Sequence, residues 1–214
     1  MSEGSDGAAF AALQGLLKKR APVPGERCDY CATPLGPDHG HLVDLRDRRI
    51  LCSCHPCRIV FEPGGAAQGR YKVVPTRYLE VADFAIDDAR WDALAVPIGL
   101  AFFFFNSLEQ KMVAFYPGPA GATESLLSLE AWDAIAAEYP VFATLEPDVE
   151  AILIDRREQT SCLIVPIDAA YELVGLMRLN WRGFDGGTEA RQRLDAFFAK
   201  LRERAADRVT ARRS

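Results

Sequence analysis

Two cysteine pairs constrain the fold of this chain more than any other feature of its sequence. The pairs are Cys28-Asp-Tyr-Cys31 and Cys54-His-Pro-Cys57, with 22 residues between them. A C-x-x-C turn places two thiolates on one tight loop, and a second such turn facing it completes the tetrahedral sulfur site that zinc prefers. We therefore predict one zinc ion per chain, bound by Cys28, Cys31, Cys54 and Cys57.

The ligand set has alternatives, because other donors lie close to the second pair. Cys52 lies two residues before Cys54. Both point to the same face of an extended strand, so Cys52 can take the place of Cys54. His55 lies inside the second pair and is a further alternative. His39 and His41 lie between the pairs, where a hydrogen-bonding role is more common than a ligand role.

Iron in a rubredoxin-like centre is the alternative to zinc, because it uses the same four cysteines. Such centres usually have a glycine directly after the second cysteine of each pair, where backbone amides wrap the sulfur. Ala32 and Arg58 occupy these positions, which favours zinc. A redox role for Cys54 and Cys57 would require a helix directly after the pair. Residues 58–65 are too few and too rich in β-branched side chains for such a helix.

Composition divides the chain into four segments. Residues 1–25 are predicted to form a helix, over residues 8–20, and a hinge. Residues 26–62 form the four-cysteine module, residues 70–207 a larger α+β domain, and residues 208–214 a basic tail. A module of roughly 35 residues cannot bury enough apolar surface to fold alone. It should therefore depend on its metal, whereas the larger domain should not.

Hydrophobic patterning predicts an α+β fold in which a small zinc-ribbon-like module precedes a larger domain with antiparallel strands and a C-terminal helical hairpin. The predicted elements are strands 41–45 and 49–52, a flexible link over 63–69, strands 71–74 and 77–81, helix 87–94, strands 100–105 and 111–116, helix 128–139 with Ser128 as its cap, strands 149–154 and 162–165, and helices 168–183 and 188–206. The four phenylalanines of residues 102–105 show no alternation, which indicates a strand covered on both faces.

Signals for chemistry in the larger domain are weaker. Residues 116–125 form a loop of small residues that is similar to phosphate-binding loops. It lacks the lysine and the G-K-S/T ending, so we interpret it as a plain connection. Glu146, Asp148 and Glu150 cluster before a predicted strand and are interpreted as surface acids. All three histidines of the chain lie in the cysteine module, which argues against an enzyme.

Charge and hydropathy limit the partners. The formal net charge is −5 and the pI is near 5.3, whereas zinc modules that bind nucleic acid are usually basic. We therefore predict no nucleic-acid partner.

The longest apolar run, residues 98–105, is shorter than the roughly 20 residues that cross a bilayer. The N-terminus lacks a secretory pattern, so we expect a cytoplasmic protein with reduced thiols. The oligomeric state stays open.

The chain also resembles an uncharacterised bacterial family, through motifs that run from Cys28 to Leu201. These motifs are the two cysteine pairs with His39-x-His41 between them, Gly69-Arg-Tyr, Ala114-Phe-Tyr-Pro, Gly121-Ala-Thr-Glu-Ser-Leu-Leu, Glu146-Pro-Asp-Val-Glu-Ala, Val165-Pro-Ile-Asp, Tyr171-x-Leu-Val-Gly, Trp181-Arg-Gly and the closing Phe-Phe-x-x-Leu. Genes of that family tend to lie beside those of high-affinity uptake nickel–iron hydrogenases. The resemblance implies a role in hydrogenase assembly, cofactor delivery or electron transfer, and it implies no catalytic residues.

Together these observations predict a zinc-binding accessory protein rather than an enzyme. Its expected partners are proteins, namely hydrogenase subunits or maturation factors. A rubredoxin-like iron electron carrier is the first alternative. An enzyme or ligand-binding protein that uses residues 116–125 is the second.

Overall fold

In a computed structural model of the protein, the structure describes residues 25–62, 69–118, 121–180, 187–205 and 207–209. Several predictions lie outside these residues: the helix over 8–20, most of the link over 63–69, the helix stop at Gly183, and the last residues of the basic tail.

The described elements alternate between strands and short helices. In chain order they are β1 (Gly40–Asp44), β2 (Arg49–Ser53), α1 (His55–Val60), β3 (Tyr71–Val73), β4 (Leu79–Val81), α2 (Asp88–Ala93), β5 (Leu100–Asn106), β6 (Lys111–Gly118), β7 (Gly121–Glu124), α3 (Leu129–Glu138), a 3-10 helix (Pro140–Thr144), β8 (Glu150–Asp155), β9 (Ser161–Pro166), α4 (Ile167–Asn180), α5 (Gly187–Arg204) and β10 (Asp207–Val209). Helices combine with mainly antiparallel sheets, which confirms the predicted α+β class.

The smaller sheet contains the predicted hairpin of the cysteine module. Its strand order is β2-β1-β3, and both pairings are antiparallel. The carboxylate of Asp44 closes the hairpin by accepting hydrogen bonds from the N–H groups of Arg46 and Asp47 at 3.1 and 3.2 Å. Arg70, directly before β3, donates to the same carboxylate at 2.6 Å. Residues on both sides of the predicted link therefore meet at one buried carboxylate.

The larger sheet has the order β10-β4-β9-β8-β5-β6-β7 and is antiparallel except for the parallel pair β10 and β4. One apolar cluster contains buried residues of α4 and α5, and a second contains those of α2, α3 and the 3-10 helix. Phe102 belongs to the first cluster and Phe103 to the second, and both are fully buried. The prediction that β5 is covered on both faces is confirmed.

The second cluster also contains a buried hydroxyl with two partners. Tyr139 is fully buried. Its hydroxyl donates to Ala85 O at 3.1 Å and accepts from Ala85 N–H at 2.9 Å. The loop before α2 is thereby fixed to the end of α3.

Helix ends differ from the sequence prediction by a few residues. Ser128 caps α3 as predicted, since its side chain accepts a hydrogen bond from Ala131 N–H at 3.2 Å. Asp168 lies inside the first turn of α4 rather than before it, because the helix begins at Ile167. Helix α5 ends at Arg204, and residues 207–209 pair with β4 where the end of the larger domain and a basic tail were predicted.

The interpretation of Asp148 and Glu150 as surface acids is wrong. Their exposed fractions are 7% and 1%. Lys72 Nζ lies 2.8 Å from Asp148 Oδ2, and Arg77 Nε lies 2.8 Å from Glu150 Oε1. Each carboxylate is thus neutralised by a cation more than 70 residues earlier in the chain, a pairing that local sequence does not reveal.

Candidate metal centre

The first cysteine pair lies on a tight turn with an unusual backbone conformation. Cys28 N–H donates to Thr33 O at 3.0 Å, and Ala32 N–H donates to Cys28 O at 2.9 Å. Ala32 has φ 58, in the left-handed region that glycine usually occupies. Alanine therefore supplies the turn that a glycine would supply. At this turn, the missing glycine is no argument against iron.

The second pair lies at the start of a helix rather than on a second turn of the same kind. Cys54 is the N-cap of α1, Pro56 is in its first turn, and Arg58 N–H donates to Cys54 O at 3.0 Å. Residues 58–65 were predicted to be unable to form the helix that a redox pair requires, yet a six-residue helix forms over His55–Val60 and includes Cys57. Proline fits the first turn of a helix, and the helix ends at Val60, so few β-branched residues enter it.

Two sets of contacts hold the halves of the module together. Asp29 N–H donates to Cys52 O at 2.9 Å, and Cys52 N–H donates to Asp29 Oδ2 at 2.6 Å. Tyr30 packs against Phe61 and Tyr71, with ring centroids 4.5 and 5.6 Å apart. These contacts connect the first turn to β2, to the end of α1 and to β3.

The four cysteines that the sequence singles out come together in one cluster. The Sγ atoms of Cys28, Cys31, Cys54 and Cys57 all lie within 4.8 Å of one another. The Sγ atoms of Cys31 and Cys54 are 3.5 Å apart, and all four are free thiols. A tetrahedral ion with Zn–S bonds of about 2.3 Å requires sulfurs about 3.8 Å apart. The cluster therefore fits one four-coordinate metal ion.

Burial and proton affinity differ among these thiols. Cys28 is buried, which raises its pKa, but hydrogen bonds from the backbone of Cys54, Cys31 and Tyr30 outweigh burial and lower the pKa to about 6. A hydrogen bond with the Cys54 side chain raises the pKa of Cys57 to about 12. Cys31 is exposed. Cys28 is thus mainly a thiolate at neutral pH, whereas a bound cation must displace the proton of Cys57.

The other candidate ligands of the module lie elsewhere. Cys52 is not in the four-cysteine cluster but in a group with His39 and His41, whose donor atoms also lie within 4.8 Å of one another. His55 is exposed and belongs to neither group. Sequence reasoning missed the group of His39, His41 and Cys52, although the H-x-H alternation was a signal for it.

Within the segment predicted to be a plain connection, residues 116–118 and 121–124 are paired strand residues. Pro117 pairs with Ala122 and Gly118 with Gly121, between β6 and β7. The paired residues belong to the sheet, so they do not form an open phosphate-binding cradle. None of the helices in the described ranges has the length and apolar character that crossing a membrane requires.

Comparison with known proteins finds one family model, which matches residues 27–205: a family of unknown function, DUF5947. The matched region includes both cysteine pairs and extends to the end of α5. No curated protein and no solved structure matches the chain.

Proposed function

Since the chain belongs to the DUF5947 family, whose function is unknown, we propose a role from the geometry of its metal centre. The protein is a non-enzymatic accessory protein in which Cys28, Cys31, Cys54 and Cys57 hold one structural zinc ion. The observation that carries this proposal is the approach of four free sulfurs to within 4.8 Å. A closed set of four protein ligands leaves no position for a substrate, which is typical of structural zinc sites.

Zinc is favoured over iron by the difference between the two halves of the cluster. The first pair has the left-handed residue that a rubredoxin-like turn requires, at Ala32. The second pair is followed by the helical residue Arg58, whose N–H bonds to Cys54 O within α1. Only one half therefore has the turn that usually wraps iron-bound sulfur.

Alanine substitution tests the ligand set. Replacing Cys28, Cys31, Cys54 or Cys57 by alanine should release one zinc ion, because three thiolates leave the tetrahedral site incomplete. Cys52→Ala should leave this ion bound. Retention of the ion in Cys54→Ala, together with its loss in Cys52→Ala, would contradict the proposed set.

An iron electron carrier is the second candidate function. Two observations favour it: the conformation of Ala32, and the exposure of Cys31, which brings one edge of the cluster to the surface. Thiolate-bound ferric iron absorbs strongly in visible light, whereas zinc does not. A coloured protein after native purification would favour this candidate over structural zinc.

The accessory role rests on the distribution of acid and base groups. All three histidines of the chain lie in the module. In the larger domain, Asp148 and Glu150 are buried in ion pairs with Lys72 and Arg77 rather than free for proton transfer. These residues therefore stabilise the fold, and among the described residues both groups of side chains that could hold a metal lie in the module.

The proposed partners are hydrogenase subunits or maturation factors, and the family resemblance supports this part of the proposal. Deleting the gene should reduce mature hydrogenase while its subunits are still synthesised. The experiment measures hydrogen uptake and processing of the large subunit together. Normal processing with a failure of electron flow alone would replace the assembly role by the electron-carrier role. No change in uptake, processing or electron flow would remove the hydrogenase link.

A ligand-binding role for the segment around residues 116–125 is the third candidate. A cavity of about 290 Å³ is lined by Phe115 of β6, Glu124 of β7 and Phe104 of β5. Its other walls come from the β1–β2 hairpin and α4, as with Ile50 and Tyr171. Mass spectrometry of the natively purified protein tests this role, since a specific ligand should co-purify at about one molecule per chain.

A further inference from the structure

The β1–β2 hairpin brings three metal-binding side chains to one face. His39 and His41 are two residues apart, so they point to the same side of an extended segment. The antiparallel register places His41 opposite Cys52, and directly opposed side chains lie on the same face of a sheet. The donor atoms of these three residues lie within 4.8 Å of one another, outside the four-cysteine cluster.

Both imidazoles are held in the tautomer that a metal requires. His39 Nδ1 lies 2.9 Å from Gly36 O, and His41 Nδ1 lies 2.7 Å from Asp168 Oδ2. A carbonyl and an ionised carboxylate can only accept, so Nδ1 carries the proton in each ring. In the neutral form of each ring, Nε2 then has the free lone pair. A carboxylate or carbonyl behind the imidazole is the usual arrangement around metal-bound histidines.

His39 carries a second, independent sign of a missing ligand. Its side chain is 7% exposed. Among the residues that the structure describes, its Nε2 is one of two buried side-chain nitrogen or oxygen atoms without a hydrogen-bond partner. Leaving such an atom unsatisfied destabilises the fold. The ring of His41 lies beside it, with centroids 4.7 Å apart, so an ion shared by both rings would satisfy Nε2.

We propose that His39, His41 and Cys52 bind a second divalent ion of the zinc type, through Nε2 of each imidazole and Sγ of the cysteine. Two imidazoles and one thiolate are a mixed nitrogen and sulfur set that zinc accepts. Three protein ligands leave the fourth position of a tetrahedral ion open, unlike the closed cysteine cluster. His39 and His41 line a cleft of about 700 Å³. The site does not depend on which metal the four cysteines hold.

Zinc binding by the reduced full-length chain tests this site. Equilibrium dialysis against Zn²⁺ followed by elemental analysis should show one ion fewer in His39→Leu and in Cys52→Ser than in the wild type. His55→Ala is the matched control, because His55 belongs to the same module but lies exposed and outside both groups. It should bind as much zinc as the wild type.

Either of two results would overturn the proposal: a His39→Leu variant that binds as much zinc as the wild type, or an equal loss in His55→Ala. Cys31→Ser removes a ligand of the other centre only. If the proposed four-cysteine site is wrong, Cys31→Ser should bind as much zinc as the wild type. If the second site is wrong, His39→Leu should do so instead, so the two outcomes are distinguishable.

A variant of the residue that orients His41 tests the site even if His39→Leu fails to fold. Asp168→Asn keeps all three proposed ligands but weakens the orientation of His41. Loss of such a partner typically costs 10–100-fold in metal affinity. Competition with a chromophoric chelator should show this weakening for one of the two zinc ions and unchanged affinity for the other. Unchanged affinity for both ions would overturn the proposal.

Discussion

The substitution Ala32→Gly should tighten zinc binding at the four-cysteine cluster. Ala32 lies directly after Cys31, at φ 58. The left-handed region costs an L-residue about 1–2 kcal/mol relative to glycine. Glycine makes the unfolded chain more flexible, which offsets about 0.4–1 kcal/mol of this gain. The net gain is about 0–1.6 kcal/mol. Its midpoint, about 0.8 kcal/mol, corresponds to a roughly fourfold higher affinity, because metal binding and folding of the module are coupled.

Ala95 provides a matched control in the larger domain. It is exposed like Ala32 and has φ 56. Its N–H donates to Asp92 O at 2.9 Å, as that of Ala32 does to Cys28 O. Ala95→Gly should therefore stabilise the larger domain against denaturant by the same amount, and it should leave zinc affinity unchanged.

The assay is a competition for zinc between the protein and a chromophoric chelator, together with denaturant unfolding of each variant. We expect higher zinc affinity for Ala32→Gly alone and higher unfolding stability of the larger domain for Ala95→Gly. If Ala95→Gly gains stability while Ala32→Gly has unchanged or weaker zinc affinity, formation of the first cysteine turn is not coupled to metal binding.

Three further predictions concern stability. Arg70 holds the pKa of Asp44 below its usual range, so the stability from this carboxylate is present above pH about 4 and is lost as the pH falls further. Urea titrations from pH 2 to 7 should show a smaller loss of stability in Asp44→Asn than in the wild type and in the more exposed control Asp47→Asn. Chelation should remove hydrogen-exchange protection from residues 26–61 and from β3, which pairs with β1, while β5, β6, β8 and β9 stay protected; loss of protection there would mean that the chain unfolds as one unit. Tyr139→Phe should lower the free energy of unfolding by about 1–3 kcal/mol, because both backbone groups of Ala85 lose their partner, and a change below 0.5 kcal/mol would contradict this reading.

Local sequence patterns were sufficient for much of the fold. Cysteine spacing predicts the cluster because a C-x-x-C turn constrains its two sulfurs whatever surrounds them. The run of phenylalanines predicts a strand covered on both faces, and Phe102 and Phe103 are buried on opposite sides of the sheet. Ser128 is a predicted cap because its hydroxyl needs only the first turn of its own helix.

Features that depend on distant partners were not predictable in this way. Asp148 and Glu150 looked like surface acids because their cations, Lys72 and Arg77, come from far along the chain. The second group of metal-binding side chains depends on the register that places His41 opposite Cys52. The residue pattern of either strand alone does not reveal which residues of the two strands pair.

The cysteine module shows a third kind of difference between sequence and structure. Some of its residues adopt backbone conformations that their own side chains do not favour. Alanine has no preference for the left-handed region, yet the turn around Cys28 places Ala32 there. Helix α1 forms despite Ile59 and Val60, because it is short and begins at Cys54 and Pro56.

Metal content of the protein purified from its own host tests the central claim most directly. Zinc and iron are counted per chain in the wild type and in Cys57→Ser, which removes one proposed ligand of the four-cysteine cluster. We expect the variant to contain one zinc ion fewer than the wild type, and neither protein to contain stoichiometric iron. Equal zinc content in both proteins, or iron that is present in the wild type and lost in the variant, would contradict a structural zinc site.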